Sequence, residues 1–234
     1  LPISSGNDLT YNGGSSDGYV LRMNALSGNY QSGSYMGFSE YDQTYFVRVD
    51  IDNKAYVYGQ TESAWAISAG CYGNPNSGQF VRKYSSDLQT ISWTTMVGAG
   101  TGHVELSPTA FLVDRCENVY VSGWGGTLAP GFPSAGTKGL TTFGAGQLST
   151  TTDGEDLYFF VLEKSAKNIL YATFFGSITG ANGPLGDHVD GGTSRFDKNG
   201  TIYQSVCSCL GANPAPGTAL RGTAGVWSPN NLSA

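Results

Sequence analysis

The chain has 234 residues, enough for one large β domain or two small ones. Charged residues are only 13% of it, the net charge is −6, and no cluster of Lys and Arg supplies the electrostatic footprint of a nucleic-acid or anionic-membrane binder. No apolar run approaches the roughly 20 residues of a membrane helix, whereas 34 glycines, about twice the usual share, and abundant Ser, Thr, Asn and Tyr fit an all-β protein on the outside of a cell.

The opening "LPISSG" already reads as mid-domain sequence and no signal peptide is visible, so the chain is read as a processed or excised piece of a longer protein. From there the apolar period is 2, not 3.6. "GYVLRMN", "QFVRKYS", "ISWTTMVG" and "NVYVSG" are short, rich in β-branched and aromatic residues, and bounded by Gly, Asn, Asp and Ser. The stretch "EDLYFFVLEKSAKNILYATFFG" could pass for a helix. Its apolar halves flank "KSAKN", however, and it is read as two strands joined by a turn.

These strands repeat. A unit opens with "LPISSG" at 1, "WAISAG" at 65, "GFPSAG" at 131 and a weaker "LRGTAG" at 220. A strand with Tyr19, Phe80 or Tyr158 follows, and a hairpin leads to a second strand ending in Gly37, Gly98 or Gly176. The spacing from Met23, Tyr84 and Leu162 to those glycines is 14 residues each time. After a variable loop a third strand ends in Asp50, Asp114 or Asp197. A turn then leads to a fourth strand, whose Tyr56, Tyr120 or Tyr203 lies six residues beyond the Asp. Units of four short strands that cannot bury both faces alone pack radially in a β-propeller. The expected fold is therefore an all-β, propeller-type array of four-stranded blades. Its units cover residues 1–64, 65–130 and 131–219, with 220–234 beginning another, and the Asp–turn–Tyr phrase is expected to be the third-to-fourth strand hairpin of each blade.

The same segments carry a family resemblance. "YVLRMN", "FVRKYSSDLQTISWTTMVG" and "AFLVDRCENVYVSGWGG" resemble the β-propeller repeats called SBBP repeats. "CENVYVSGWGG" with "RFDKNGTIYQSVCSC" is similar to large secreted surface proteins of the Bacteroidota. The chain departs from the pattern at the turn, where the expected Gly-Asn is "IDNK" in the first unit and "CENV" in the second. The resemblance implies an extracellular interaction scaffold, exported by the type IX secretion system and in some relatives linked to gliding motility. It carries no general catalytic motif.

Length variation is confined to one loop of the unit. It spans 13 residues from Gly37 to Asp50, 16 from Gly98 to Asp114 and 21 from Gly176 to Asp197. Equivalent loops of a propeller open on one rim, where a rigid scaffold concentrates function. That rim is expected to present Tyr41, Tyr45, His103, Glu105, Asp187, His188 and Asp190 to an extracellular glycan or protein, with Trp124 at a strand exit as a further exposed aromatic. Glycosidic cleavage needs two carboxyls at a set separation, which sequence does not place, and no Gly-x-Ser-x-Gly elbow is present. The runs at Asp50, Asp52 and Asn53 and at Asp197, Asn199 and Gly200 lack the closing Glu of a calcium loop and read as β-turns. Strand tyrosines and phenylalanines, with Trp93, read as packing between blades. Cys71, Cys116, Cys207 and Cys209 lack zinc spacing and are candidates for structural disulfides or buried thiols. No cofactor is implied. The expected job is a non-catalytic adhesive module, set against a propeller enzyme acting on polysaccharide and a pure spacer.

Overall fold

A computed structural model describes residues 4–125, 136–176, 187–188 and 194–208. The described chain is all-β. A two-stranded hairpin, β1 (Gly18–Met23) and β2 (Tyr30–Met36), precedes two antiparallel four-stranded sheets. The first sheet runs in order β3 (Asp42–Val49), β4 (Ala55–Thr61), β5 (Gln79–Tyr84), β6 (Ile91–Val97). The second comprises β7 (Ser107–Val113), β8 (Val119–Trp124), β9 (Leu157–Leu162) and β10 (Ile169–Phe175). Short pairs close the described chain: β11 (Asp187–His188) with β14 (Cys207–Ser208), and β12 (Arg195–Phe196) with β13 (Ile202–Tyr203). The ambiguous stretch at 155–176 is indeed β9 and β10, joined by a 3-10 turn over Lys164–Ala166. Among the described residues no helix is long and apolar enough to cross a membrane.

The repeat is visible in the backbone itself. The Asp turn recurs three times. Asp50, Asp114 and Asp197 donate their N–H to the carbonyls of Lys54, Asn118 and Thr201, and their own carbonyls accept from Asn53, Glu117 and Gly200. The side-chain Oδ1 of each Asp accepts the N–H four residues on, at Lys54, Asn118 and Thr201. The residue three past the Asp has φ of 60°, 66° and 83° at Asn53, Glu117 and Gly200, left-handed values that Asn and Gly tolerate best. The Asp carboxylates thus hold their own turns. A β-bulge recurs too, between Thr44 and Phe46 and again between Pro108 and Ala110.

The hairpins are grouped differently from the expectation. In each full sheet the Asp–turn–Tyr hairpin supplies the first two strands, β3–β4 and β7–β8, and the next Tyr/Phe hairpin supplies the last two. A sheet therefore joins the second half of one sequence unit to the first half of the next, and the sheets straddle 64/65 and 130/131. The first strands of successive sheets, β3 and β7, lie against one another, and β12 lies against β7 in the same way.

Packing explains why the strands hold so many apolar residues. Strand β4 is buried along its whole length because both its faces are covered. Tyr56 and Tyr58 face the second sheet, joining Val81, Trp93, Leu106, Phe111, Val121 and Phe160 in the main core. Ala55 and Val57 point the other way, toward Val20 and Met36 of the first hairpin, with Trp65, Phe80 and Met96. Trp124, Leu157 and Phe159 form a smaller cluster on the far face of the second sheet, against Ile202 and Val206. Outer edges are capped by loops. Gly33 and Tyr35 on β2 donate to Ser5 and Asp8, Ser68 donates to Thr94 on β6, and Ala172 on β10 exchanges hydrogen bonds with Phe143. Such covering protects a sheet edge from pairing with another chain.

Candidate functional site

The repeat glycines show how the rim is built. A Cβ on Gly37, Gly98 or Gly176 would come within 3.0, 2.6 or 2.8 Å of a carboxylate oxygen of Asp42, Glu105 or Asp187 respectively. A buried acid, Asp42, Glu105 or Asp187, therefore sits beneath each repeat glycine, joined by Asp17 at Gly37 and by Asp156 at Gly176, and Asp42 and Glu105 tie down the loop that follows theirs. Asp42 accepts from the Phe38 N–H, Ser63 Oγ, Thr61 Oγ1 and the indole of Trp65. Glu105 accepts from the Gly78 N–H at 2.7 Å, the Ala99 N–H at 2.9 Å and Thr101 Oγ1. Burial pushes the Glu105 carboxyl upward from its ordinary range, and these donors offset part of that rise.

This placement corrects the expected rim. Glu105 and Asp187 are buried beneath a repeat glycine instead of facing solvent, and Glu105 is committed to the Gly78 and Ala99 N–H groups. Trp124 is buried as well, held in the cluster with Leu157 and Phe159. His188 is described by its backbone only, on β11, and Asp190 lies outside the described residues. Of the four cysteines, half-buried Cys71 and exposed Cys116 carry free thiols, and Cys71 Sγ instead donates to the Ser165 carbonyl. The Cys207 backbone lies in β14, and Cys209 is outside the described residues.

Tyr41, Tyr45 and His103 do come together, at the corner where the first sheet meets the second. Tyr41 precedes β3, and Tyr45 stands at its bulge. Tyr45 Oη donates to Gln60 Oε1 at 2.9 Å, and Tyr41 Oη lies against the Gln43 and Gln60 amide oxygens. Gln60 is fixed from behind, since its Nε2 donates to the Leu106 carbonyl, which also accepts from Gln79. The Tyr41 carbonyl accepts the Glu62 N–H, and Glu62 Oε1 stands 3.7 Å from Nδ1 of exposed His103. Burial raises the Tyr41 phenol well above its ordinary range, so it stays a neutral hydrogen-bonding group. The corner presents phenols, amides, an imidazole and one carboxylate, with Gln43, Tyr45 and His103 exposed. Gln43, Gln60 and Glu62 were not singled out in the sequence. The signal for Gln60 was available: it matches Trp124 in the repeat register, a polar side chain where the second copy places an aromatic. Among the described residues no group of three His, Cys, Asp or Glu side chains is arranged to hold a metal ion.

A second polar cluster bridges the sheets away from the rim. Buried Lys83 on β5 pairs with Asp50 at 2.9 Å and with Glu117 at 2.7 Å. Glu117 also meets Lys164 at 2.7 Å and accepts from Tyr56 Oη. Lys164 and Lys83 hold the Glu117 carboxyl down to about 2. Glu117 stands where the repeat turn favours Gly or Asn, so its left-handed backbone is strained. The ion pairs to two lysines offset that cost. The departure noted at "CENV" is thus a link between sheets, not a site.

Neither the protein-family models nor the curated proteins compared with this sequence match it.

Proposed function

We propose that the chain is part of a propeller-type array and acts outside the cell as a non-catalytic binding module that contacts a surface glycan or protein. The successive abutment of the first strands β3, β7 and β12 supports the radial arrangement, as does the face-to-face packing of the sheets. The resemblance to SBBP repeats supports the secreted, surface-attached setting. The observation that carries the binding reading is the corner of Tyr41, Gln43, Tyr45, Gln60, Glu62 and His103. Its hydrogen-bonding groups are held by a rigid strand and bulge, with Gln43, Tyr45 and His103 exposed, Tyr41 and Glu62 half-buried and Gln60 buried behind them. Phenols, amides and an imidazole with one carboxylate match a neutral glycan best, because hydroxyl-rich ligands offer both donors and acceptors. Rigid amphipathic tyrosines bind with little loss of side-chain entropy. The enzyme alternative draws less support, since Glu105, its first candidate acid, has its oxygens committed to loop donors.

The test is a panel of polysaccharides and glycoproteins, scored for retention and for release of shortened products. Retention without release is expected, weakened at least tenfold by Tyr45→Ala or His103→Ala with unchanged thermal stability. Released products would promote the enzyme reading, and retention indifferent to both variants would sink the proposed corner.

A further inference from the structure

The sequence holds no cluster of Lys and Arg, yet the fold assembles one. Three of the chain's six lysines, Lys54, Lys83 and Lys164, come from distant segments to line a cavity of about 380 Å³. It lies at the turn end of β3 and β4, opposite the end that carries the Gln43 and Gln60 corner. Three turns meet there: 50–54 after β3, 114–118 after β7 and 163–168 after β9. Lys164 donates its N–H to Asn118 Oδ1, and Lys83 reaches both Asp50 and Glu117. Exposed Arg115 and Lys167 stand on the same turns, so five of the chain's twelve Lys and Arg gather at one end of a molecule whose net charge is −6.

The acids of these turns are spent on internal donors. Asp50 Oδ1 accepts the Asp52 and Lys54 N–H groups, and its Oδ2 meets Lys83. Asp114 accepts from the Asn118 N–H and the Tyr120 hydroxyl, and Glu163 from the Asn168 amide. Glu117 Oε2 takes Lys83 and Tyr56, and its Oε1 takes Lys164. Of these acids Asp52 alone is exposed, 3.7 Å from Lys54 in a surface pair of the kind that contributes little. The cations face outward instead. The Lys54 and Lys164 side chains are 44% and 57% exposed and each meets one carboxylate, which leaves ammonium protons for a ligand. The Ser165 and Ala166 backbones are left-handed, with φ of 59° and 51°, a strained state for residues other than Gly or Asn. The turn is pinned there by the Tyr72 N–H on the Ala166 carbonyl and by Cys71 Sγ on the Ser165 carbonyl. Lys164 and Ser165 are thus held at the cavity at a cost to the backbone.

We propose that this cavity binds an acidic sugar through its oxyanion, a uronate carboxylate or a sulfate ester, with Lys54 and Lys164 taking the charge. The Ser92 and Ser165 hydroxyls, which line the same cavity, take hydroxyls of the ring. This goes beyond the corner reading and is independent of it. Donors outnumber open acceptors along the cavity, so an acceptor-rich anionic group completes it. Ammonium groups make charge-assisted hydrogen bonds to such oxygens. The size suits a small ligand, whereas nucleic acid meets an extended basic stripe or face. Glu117 and Lys83 remain the link between the sheets and serve the cavity as its wall.

Isothermal titration calorimetry tests it with three oligosaccharides of one length: a uronate, a sulfated and a neutral one. The chain carries Tyr45→Ala throughout, so that the corner does not contribute. An acidic oligosaccharide is expected to bind about tenfold more tightly than the neutral one, and the tighter of the two acidic ones identifies the oxyanion. Added salt should weaken that binding. Lys54→Ala and Lys164→Ala should each weaken it about tenfold. Lys54→Ala leaves the ion pairs of Lys83 and Lys164 whole, and an unchanged melting temperature verifies its folding. The indole N–H signal of Trp93, which lines the cavity, is assigned among the four tryptophans with Trp93→Phe and should shift with the acidic ligand only. Failure of both acidic oligosaccharides to bind overturns the proposal, as does a neutral one that binds as tightly. So does affinity unaffected by the lysine variants, a Trp93 signal that stays in place, or equal affinity for duplex DNA or for phosphatidylglycerol vesicles.

Discussion

The corner of the first sheet and the matching corner of the second share backbone, register and bulge, yet one is polar and the other apolar. At the first, Gln60 and Gln79 converge on the Leu106 carbonyl, and the Gly78 N–H donates to a single acid, Glu105. At the second, the same register positions hold Trp124 and Leu157 in an apolar cluster. There Asp156 replaces Gly78, so its carboxylate and that of Asp187 crowd together beneath Gly176. A corner of this fold needs only filled space and satisfied backbone groups, and either chemistry supplies them. The polar version therefore marks where composition is free to serve a ligand, and the acid pair marks where it is electrostatically uncomfortable.

The comparison can be broken most sharply at its anchors. Glu105→Ala leaves the Gly78 and Ala99 N–H groups without their acceptor, which is expected to cost about 3 kcal/mol. At this chain length that is a drop of roughly 6–12 °C in melting temperature, read by calorimetry. Trp124→Gln, which places the first corner's residue in the second, should cost about 3 kcal/mol by emptying part of an apolar cluster.

A pH series sharpens the difference in charge. Burial, with the nearby Asp153 and Asp187 charges, pushes the Asp156 carboxyl up to about 6. The folded chain then holds a proton that the unfolded chain has released, so this group's contribution to stability falls as pH rises from about 4 through about 6. Asp156→Asn keeps the neutral shape and is expected to gain about 2 kcal/mol at pH 7.5 and almost nothing at pH 4, measured by urea unfolding. Glu117 acts in the opposite direction. Its carboxyl is held down to about 2, so its stabilisation is full above its ordinary value near 4.5 and fades as pH falls toward 2. The smallest effect is Gln60→Leu, about 1 kcal/mol, because Gln79 still serves the Leu106 carbonyl. That variant should nonetheless weaken retention on a glycan surface, since Tyr45 Oη loses its acceptor.

Much of the architecture was legible in the residues. The fixed step from Asp50 to Tyr56, and its copies at Asp114 and Asp197, encode one turn whose carboxylate closes its own backbone. The fixed step to Gly37, Gly98 and Gly176 encodes a position with no room for a Cβ. Sheet phase was not legible, because a tandem repeat can be cut at any point and its sequence reads the same. Nor was the burial of Glu105. Its partners are backbone N–H groups, which every residue but proline carries and no side chain announces. Trp124 misled for a related reason: the strand exit that could expose it is covered by residues far along the chain, Leu157 and Phe159.

The phase of the sheets has a mechanical meaning. Because each sheet takes two strands from one sequence unit and two from the next, the hydrogen bonds between β4 and β5 and between β8 and β9 act as rivets across the unit boundaries. Tension applied along the chain cannot peel away one repeat as a separate bead. It must first pull apart a sheet that the neighbouring repeat also needs, so extension breaks the array at shared seams, and a truncation at 64/65 or 130/131 leaves two half-sheets instead of two whole modules.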